Sequence, residues 1–388
     1  MHIMALEDAP TSLRGGQELN LFEICHGLAQ RGHQISLIYS KNGNLLDRYQ
    51  QFCQHTIKID RYGFDRRKLV DVVGFLPSLA KIPTLPTQSN TVIFSNSCHP
   101  AFFSYLLSRY HQHPFICYIQ TPSFSFNRQK LLGLQGAKRF ITVSNQMKHY
   151  WSDLGYPPQT IDVVHNGTNL SQFQPTDNLA TARAAYNLPE SSRVISYVGR
   201  LDPEKGVETL IKAFSQLPPT IEPVKLLIAG KSVMGTNLKS PDGSSEGQDY
   251  QSRLEQLVND LGLPDRVTFL GHVSDPRSLY QISDVTVVPS LWAEPFGRVV
   301  IEAMACGTPV VASHTGGIPE ILTGEFRDYL VAPGNEPDLA KTLAQVLNWR
   351  ATKPDLGQRC RDHVLQQFSL EKMVDGIEKV LVKVVNHA

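Results

Sequence analysis

Glu294 and Glu302 bracket the part of this chain best suited to chemistry. They lie in the stretch VPSLWAEPFGRVVIEAMACGTPVVASHTGGIPE, which runs from Val288 to Glu320. Glu294 sits in a Pro/Gly-rich loop, and Glu302 follows after Val299, Val300 and Ile301. Phe296 and Gly297 read as the start of a helix that continues through Ala303, Met304 and Ala305. One carboxylate then precedes the helix and the other lies about a turn and a half inside it, roughly 8 Å along the axis. Between them the helix N-terminus offers free N–H groups and a positive dipole. Such an array can hold a molecule with hydroxyls at both ends and phosphates between, the shape of a nucleotide sugar. Two solvated glutamates beside an ordinary buried helix would share this spacing, so the decision rests on other sites.

Two loops supply them. Arg14-Gly15-Gly16-Gln17 follows an apolar run and opens a helical stretch; its glycines let backbone N–H groups approach a phosphate. The pattern is not GxGxxG, so the nicotinamide-dinucleotide fingerprint is missing. In Tyr197-Val-Gly-Arg200-Leu-Asp-Pro-Glu-Lys205-Gly206, two cations stand in a loop at a helix start. Arg200 can take phosphate oxygens bidentately and Lys205 can act as a point charge, unless both are paired to Asp202 and Glu204. There is no Asp-x-Asp and no cluster at metal-ligand spacing, so no metal is expected. A diphosphate leaving group would then be stabilised by Arg200, Lys205 and backbone dipoles. Cys306 and His314 lack a third orienting group, and a Cys in an apolar helix reads as packing rather than as a nucleophile.

The elements that must position these residues alternate strand and helix, which predicts parallel sheets in an α/β fold. The first half offers strands at His2–Leu6, Gln34–Tyr39, Thr91–Ser95, Phe115–Ile119, Arg139–Val143 and Ile161–Val164. Its helix Gln17–Arg31 carries Leu21, Ile24 and Leu28 on one face and is ended by Gly32. The stretch Asn166–Asn178 reads as a linker. The second half restarts with strands at Val194–Val198, Val224–Ala229, Val267–Leu270, Val285–Val288 and Val310–Ala312. Helices are expected between and after them at Gly206–Gln216, Tyr250–Leu261, Arg298–Ala305 and Pro337–Leu347. Two doubly wound domains, 1–175 and 176–369, would hold a ligand in a central cleft at their strand ends. A last helix, about 370–388, is expected to return to the first domain. The polar segment Lys231–Gln248 reads as a long loop at the ligand-binding end of its strand.

At 388 residues, with 41% hydrophobic and 19% charged, the chain has the composition of an ordinary globular protein of two domains. A formal charge of +1 gives no reason to expect nucleic acid. Residues 1–170 carry 16 Lys+Arg against 10 Asp+Glu, and the remainder 21 against 26, so the excess of +6 lies in the first part. That fits an anionic partner there, a phosphorylated small molecule or an acidic membrane surface. Six cysteines without a CxxC pair fit a reduced, cytoplasmic protein, and no signal peptide is expected. Leu69–Leu85 is broken by Asp71, Pro77, Lys81 and Pro83 and cannot span a bilayer; flanked by Arg66, Arg67 and Lys68, it could lie on one.

Glu294-Pro-Phe-Gly through Glu302 resembles the E-x7-E signature of family-4 retaining glycosyltransferases with the GT-B fold, two Rossmann-like domains facing a cleft. The likeness extends along the chain through GGQE, VSNQM at 143–147, HNG at 165–167, VGRLDPEKG at 198–206, LLIAG at 226–230, RVTFLGHV at 266–273 and GGIPEIL at 316–322. The resemblance implies that Glu294 binds donor-sugar hydroxyls and Glu302 the ribose. Arg200 and Lys205 would hold the diphosphate, with Gly15, Gly16 and the backbone of Phe296, Gly297, Arg298 and Val299 completing its cradle. Backbone groups near Gly271 and Val273 would meet the base. Catalysis would be same-face transfer with retention, Glu294, Arg200, Lys205 and Gln120 taking part. Many relatives carry a His where this chain has Gln120, in Tyr118-Ile-Gln120-Thr121-Pro122; Gln cannot titrate near neutrality. His99 is a second candidate for that place. The usual acidic residue after HNG-x is Asn169 here.

The expected reaction moves a hexose from a nucleotide-diphosphate sugar, UDP-glucose foremost, to a hydroxyl acceptor. Arg14, His99, Gln120, Arg128 and Lys130 would meet the acceptor. A sugar phosphate is one acceptor class, as in sucrose-phosphate synthases. A lipid-linked or polysaccharide acceptor with peripheral membrane contact is another. A non-catalytic nucleotide-sugar-binding protein and a GT-B epimerase are the rival functions.

Overall fold

The computed structural model describes the chain apart from Arg14, residues 64–74, 76, 83–89, Phe124, Glu190, Glu222, 233–245 and 387–388. Much of the segment Leu69–Leu85 and most of the Lys231–Gln248 loop therefore lie outside the described residues. The chain forms two compact units. One comprises Met1–Asn166 with Leu370–Ala388; the other is Gly167–Ser369.

The first unit is built on strands β1 (His2–Glu7), β2 (Gln34–Tyr39), β3 (His55–Lys58), β4 (Thr91–Ser95), β5 (Phe115–Ile119), β6 (Arg139–Thr142) and β7 (Ile161–Val163). They pair in parallel in the order β3-β2-β1-β4-β5-β6-β7. Strands β1, β4 and β5 are buried along their whole length, which is why they read as unbroken apolar runs. The chain winds outward from β1 to β3 and then returns to β4 on the other side. That reversal opens a crevice at the C-terminal ends of β1 and β4, where ligands bind in open α/β sheets.

The helix Gly16–Gln30 covers one face of this sheet with Leu21, Phe22, Ile24, Cys25 and Leu28 buried. Against it lies the helix Leu370–Asn386, which buries Met373, Val374, Ile377, Val380, Leu381 and Val384. A Cβ on Gly27 would come within 2.8 Å of Val374 Cγ2, so the Val374 side chain rests directly on the Gly27 backbone. At the rim Arg31 pairs with Asp375 at 2.6 Å and Glu378 at 2.5 Å, and His33 reaches Glu378 at 2.6 Å.

The second unit uses β8 (Arg193–Val198), β9 (Val224–Ala229), β10 (Val267–Gly271), β11 (Val285–Val288), β12 (Val310–Ser313) and β13 (Leu330–Val331). Their parallel order is β10-β9-β8-β11-β12-β13, with the reversal between β8 and β11. The sequence reading ended the first domain at residue 175, whereas the chain joins the second unit from Gly167. The reason is local. Thr168 bridges Ser369, and Arg361 donates to the carbonyls of Leu170, Phe173 and Ala305. This stretch is packed rather than a free linker. Strands β3 and β13 escaped the sequence reading: β3 is only half-buried and β13 has two residues.

Candidate functional site

In the second unit the site grows from the ends of β8 and β11. After β8, Asp202 begins a short 3-10 turn, Pro203–Lys205, closed by Gly206 at φ 70°. A Cβ on Gly206 would fall 2.0 Å from the Pro289 carbonyl oxygen, so only glycine lets this loop press against the loop after β11. Leu291 N–H donates to Glu204 O at 2.8 Å and ties the two loops together. Lys205 is thereby brought to Glu294, with Nζ donating to Oε1 at 2.5 Å.

Glu294 Oε1 also accepts from Ser290 Oγ at 2.6 Å and Trp292 Nε1 at 3.2 Å. Lys205 Nζ stands 5.1 Å from the Trp292 ring centroid. Three donors thus converge on one oxygen of a carboxylate that is only 9% exposed, while Oε2 has no partner among the described residues. The backbone of Glu294 is fixed as well. Its carbonyl accepts from Gly317 N–H at 2.7 Å, and a Cβ on Gly316 (φ 60°) would meet that oxygen at 2.1 Å. Burial, with the Glu294 charge next in weight, raises the nearby Tyr197 hydroxyl well above its ordinary range.

The helix Arg298–Ala305 forms where expected, entered through Gly297 at φ 108°. Glu302 lies inside it, 9% exposed, with Arg298 Nε donating to Oε1 at 3.2 Å and Tyr280 OH to Oε2 at 3.1 Å. A carboxylate has about four lone-pair sites, so both oxygens retain room for a ligand hydroxyl. Phe296 is buried against Phe368, with centroids 5.8 Å apart, so it can offer a ligand only its backbone. Val299 is half-buried in the first turn. Gly271 ends β10 at φ 66°, and its carbonyl accepts from Gly230 N–H; Val273 packs on the core around Val194 and Leu279. Arg200 turns to Asp202 at 2.8 Å and Glu204 at 3.3 Å. Its charge is thus answered locally, while the Lys205 charge is answered across 89 positions of sequence.

In the first unit, Gly15 takes φ 154°, ψ −164°, a region open essentially to glycine, and Gly16 begins the helix. Gln120 follows β5 and is buried, bonded to Asn20, Asn96 and Gln17. Both of its N–H donors are used within the unit, so it can meet a sugar hydroxyl only as an acceptor. His99 is exposed on one side. Its imidazole is nonetheless held below the usual value by desolvation, with Lys130 and Lys41 acting in the same direction and Asp8 opposing them. Arg128 is exposed at the start of the helix Arg128–Gln135. Lys130 is folded onto its own loop, donating to Ser125 O at 2.8 Å and Ser123 Oγ at 3.3 Å. Arg14 lies outside the described residues.

Cys306 is buried and its thiol is pushed up to about 12, by burial first and then by Glu302, so it offers no thiolate. Among the described residues no group of three or more His, Cys, Asp or Glu side chains is placed to hold a metal ion. Nor is any described helix long and apolar enough to cross a membrane. The sequence reading missed Ser290, Trp292 and Tyr280, which set the two carboxylates, and Glu7, Asn20 and Asn96 around Gln120. Trp292 had a local signal, two places before Glu294 in the same loop.

Residues 180–363 match the family model described as "Glycosyl transferases group 1", and residues 14–172 the one described as "Glycosyltransferase Family 4". D-inositol 3-phosphate glycosyltransferase of Mycolicibacterium vanbaalenii is 40% identical over 222 residues, 57% of this chain and 47% of that protein. The chain spans about half the length of the curated relatives it matches. Sucrose-phosphate synthase of Thermosynechococcus elongatus superposes with a TM-score of 0.79 at 26% identity, covering 100% of both chains. Anabaena HepE in complex with UDP and glucose gives 0.79 at 23% identity, covering 99% of this chain and 100% of that one. With both Rossmann-like sheets and both family models in chain order, this chain is a family-4 glycosyltransferase of the GT-B fold.

Proposed function

We propose that the chain transfers a hexose from a nucleotide-diphosphate sugar, UDP-glucose foremost, to a hydroxyl acceptor with retention of anomeric configuration. The observation that carries this reading is the Lys205–Glu294 pair. A buried carboxylate with one oxygen fixed by three donors and the other open is a preorganised acceptor for sugar hydroxyls. Its cation partner is placed to exchange that carboxylate for, or share it with, a diphosphate. In the transfer the C1–O bond to the phosphate breaks and the bond from the acceptor oxygen to C1 forms. The acceptor proton passes to the departing phosphate oxygen. Negative charge developing there is answered by Lys205, by Arg200 once it leaves Asp202 and Glu204, and by the N-terminus of the helix Arg298–Ala305.

The solved Anabaena HepE complexes hold UDP and UDP-glucose, which supports that donor. The full-length likeness to a sucrose-phosphate synthase and the partial identity to D-inositol 3-phosphate glycosyltransferases favour a phosphorylated polyol or sugar as acceptor. The test is a donor-by-acceptor screen that reads nucleotide release, with fructose 6-phosphate and inositol 3-phosphate among the acceptors. Slow acceptor-free release from UDP-glucose, lost in Glu294→Ala, is the expected result. Failure to bind UDP in calorimetry overturns the reading. Donor conversion at full rate without an acceptor would favour an epimerase instead.

A further inference from the structure

At the reversal of the first sheet, where β1 meets β4, the hydrogen bonds run in one direction only. Glu7, the last residue of β1, lies beside Asn96, the residue after β4. Ionised, as it is above about pH 8, the Glu7 carboxylate only accepts. Glu7 Oε1 takes the Asp8 backbone N–H at 2.8 Å, and Oε2 takes the Asn96 side-chain amide N–H. Asn96 must therefore turn its NH2 toward Glu7 and its Oδ1 toward Gln120. Gln120 answers with Nε2 at 2.7 Å, which leaves Oε1 to accept from Asn20 Nδ2 at 2.6 Å. The Gln17 carbonyl fits the same sense, accepting from Gln120 Nε2 at 3.1 Å and Asn96 Nδ2 at 3.3 Å. Every amide orientation in the chain follows from the acceptor at its start.

This arrangement is expensive for a core. Among the described residues, the titratable groups coupled to Glu7 include Asp8, Glu18, Cys25, Tyr49 and Tyr62, and none of these five is a cation. Burial, then Glu18, pushes the Glu7 carboxyl up to about 8 against the opposing bond from Asn96. An apolar residue would pack here without that penalty. The end of the chain explains its retention, since it stops at Gln120, at the strand ends where a ligand enters and beside the start of the helix Gly16–Gln30.

We propose that Glu7 and Asn96 are positioning residues that lock the Gln120 amide with only Oε1 open, so that the first unit selects a sugar hydroxyl able to donate a hydrogen bond. The inference rests on the glycosyltransferase reading for the nature of the ligand. The hydroxyl belongs either to the donor hexose or to the acceptor.

At about pH 9, where Glu7 is ionised, the test compares wild type with Glu7→Gln, which keeps the shape but replaces one acceptor oxygen with an NH2 and so breaks the direction of the chain. Deoxyfluoro analogues, whose fluorine cannot donate, probe the selection in two arms. One arm reads nucleotide release from UDP-glucose and its deoxyfluoro series without acceptor. The other reads transfer to fructose 6-phosphate and inositol 3-phosphate and their deoxyfluoro forms. Wild type should lose about tenfold in kcat/KM at one position, and Glu7→Gln should shrink that ratio to about threefold or less. The arm that responds identifies the source of the hydroxyl. In selectively 15N-labelled protein, the side-chain NH2 signals of Asn96 and Gln120 should shift together near pH 8 in wild type and stay flat in Glu7→Gln. Equal discrimination by both proteins, or NH2 signals indifferent to Glu7, overturns the proposal. If wild type neither binds UDP nor releases nucleotide, the glycosyltransferase reading falls, and the NH2 signals still judge the chain of amides.

Discussion

Glu7→Gln should also remove a pH dependence from the stability of the first unit. In the unfolded chain this carboxyl ionises near 4.5; folded, it is pushed up to about 8 because burial penalises its charge. Between those values the folded unit keeps a proton that the unfolded chain has released. The contribution of Glu7 is therefore whole below about 4.5 and is lost as pH rises through 8. Each unit of pH inside the window costs up to about 1.4 kcal/mol. From pH 6 to 8, with Glu7 half ionised at the upper end, wild type should lose about 2 kcal/mol relative to Glu7→Gln. His2, held down to about 4 by burial, titrates alike in both proteins and cancels in the difference. The assay is urea unfolding followed by fluorescence in a Trp292→Phe/Trp349→Phe background. There the buried Trp151 is the remaining tryptophan and reports on the first unit. Parallel pH profiles for the two proteins would refute the placement of this carboxyl as a buried group whose charge burial penalises.

Lys205→Ala should weaken UDP binding about tenfold in calorimetry by removing a charge-assisted contact. It also leaves Glu294 buried without its cation, so the second unit should lose about 3 kcal/mol, and adding Glu294→Gln should restore part of that loss. Trp292→Phe keeps a ring face for Lys205 but deletes the N–H on Glu294; kcat should fall several-fold, whereas Trp292→Leu should cost more than tenfold. Gly316→Ala places a methyl 2.1 Å from the Glu294 carbonyl oxygen and should prevent folding or lower the melting temperature by more than 10 °C, a loss of about 3 kcal/mol or more. Gly324→Ala, at φ 59° with open space around it, should cost only about 1 kcal/mol. Either glycine behaving like the other would contradict the packing described.

The parts of the fold legible from sequence were those whose burial leaves a run of like residues. Gln34–Tyr39, Val224–Ala229 and Val285–Val288 stand where the apolar runs put them, because strands covered on both faces need no polar alternation. His55–Lys58 is half open, so HTIK carried no such mark. The site was legible in its local parts. Glu294, Gly297 and Glu302 share one loop and helix, and Arg200 and Lys205 share one turn. The pairings were not. That Lys205 would choose Glu294 while Arg200 stayed with Asp202 and Glu204 depends on Gly206 admitting the Pro289 loop, a fact of three-dimensional closeness. Glu7, Asn96 and Gln120 are single polar residues ending three different strands, and nothing in their own neighbourhoods announces that they meet.

The helix Leu370–Asn386 belongs to the sheet that begins at His2, so the whole of residues 167–369 is interposed within the unit it completes. During synthesis the interposed body leaves the ribosome with all of its strands in hand. The earlier body has its strands by then too, but its helix Gly16–Gln30 still lacks the cover that Val374 and Glu378 supply. All seven strands of the first sheet precede residue 167, so a nascent chain can pair them early, and only the docking of this helix has to follow the synthesis of the interposed body.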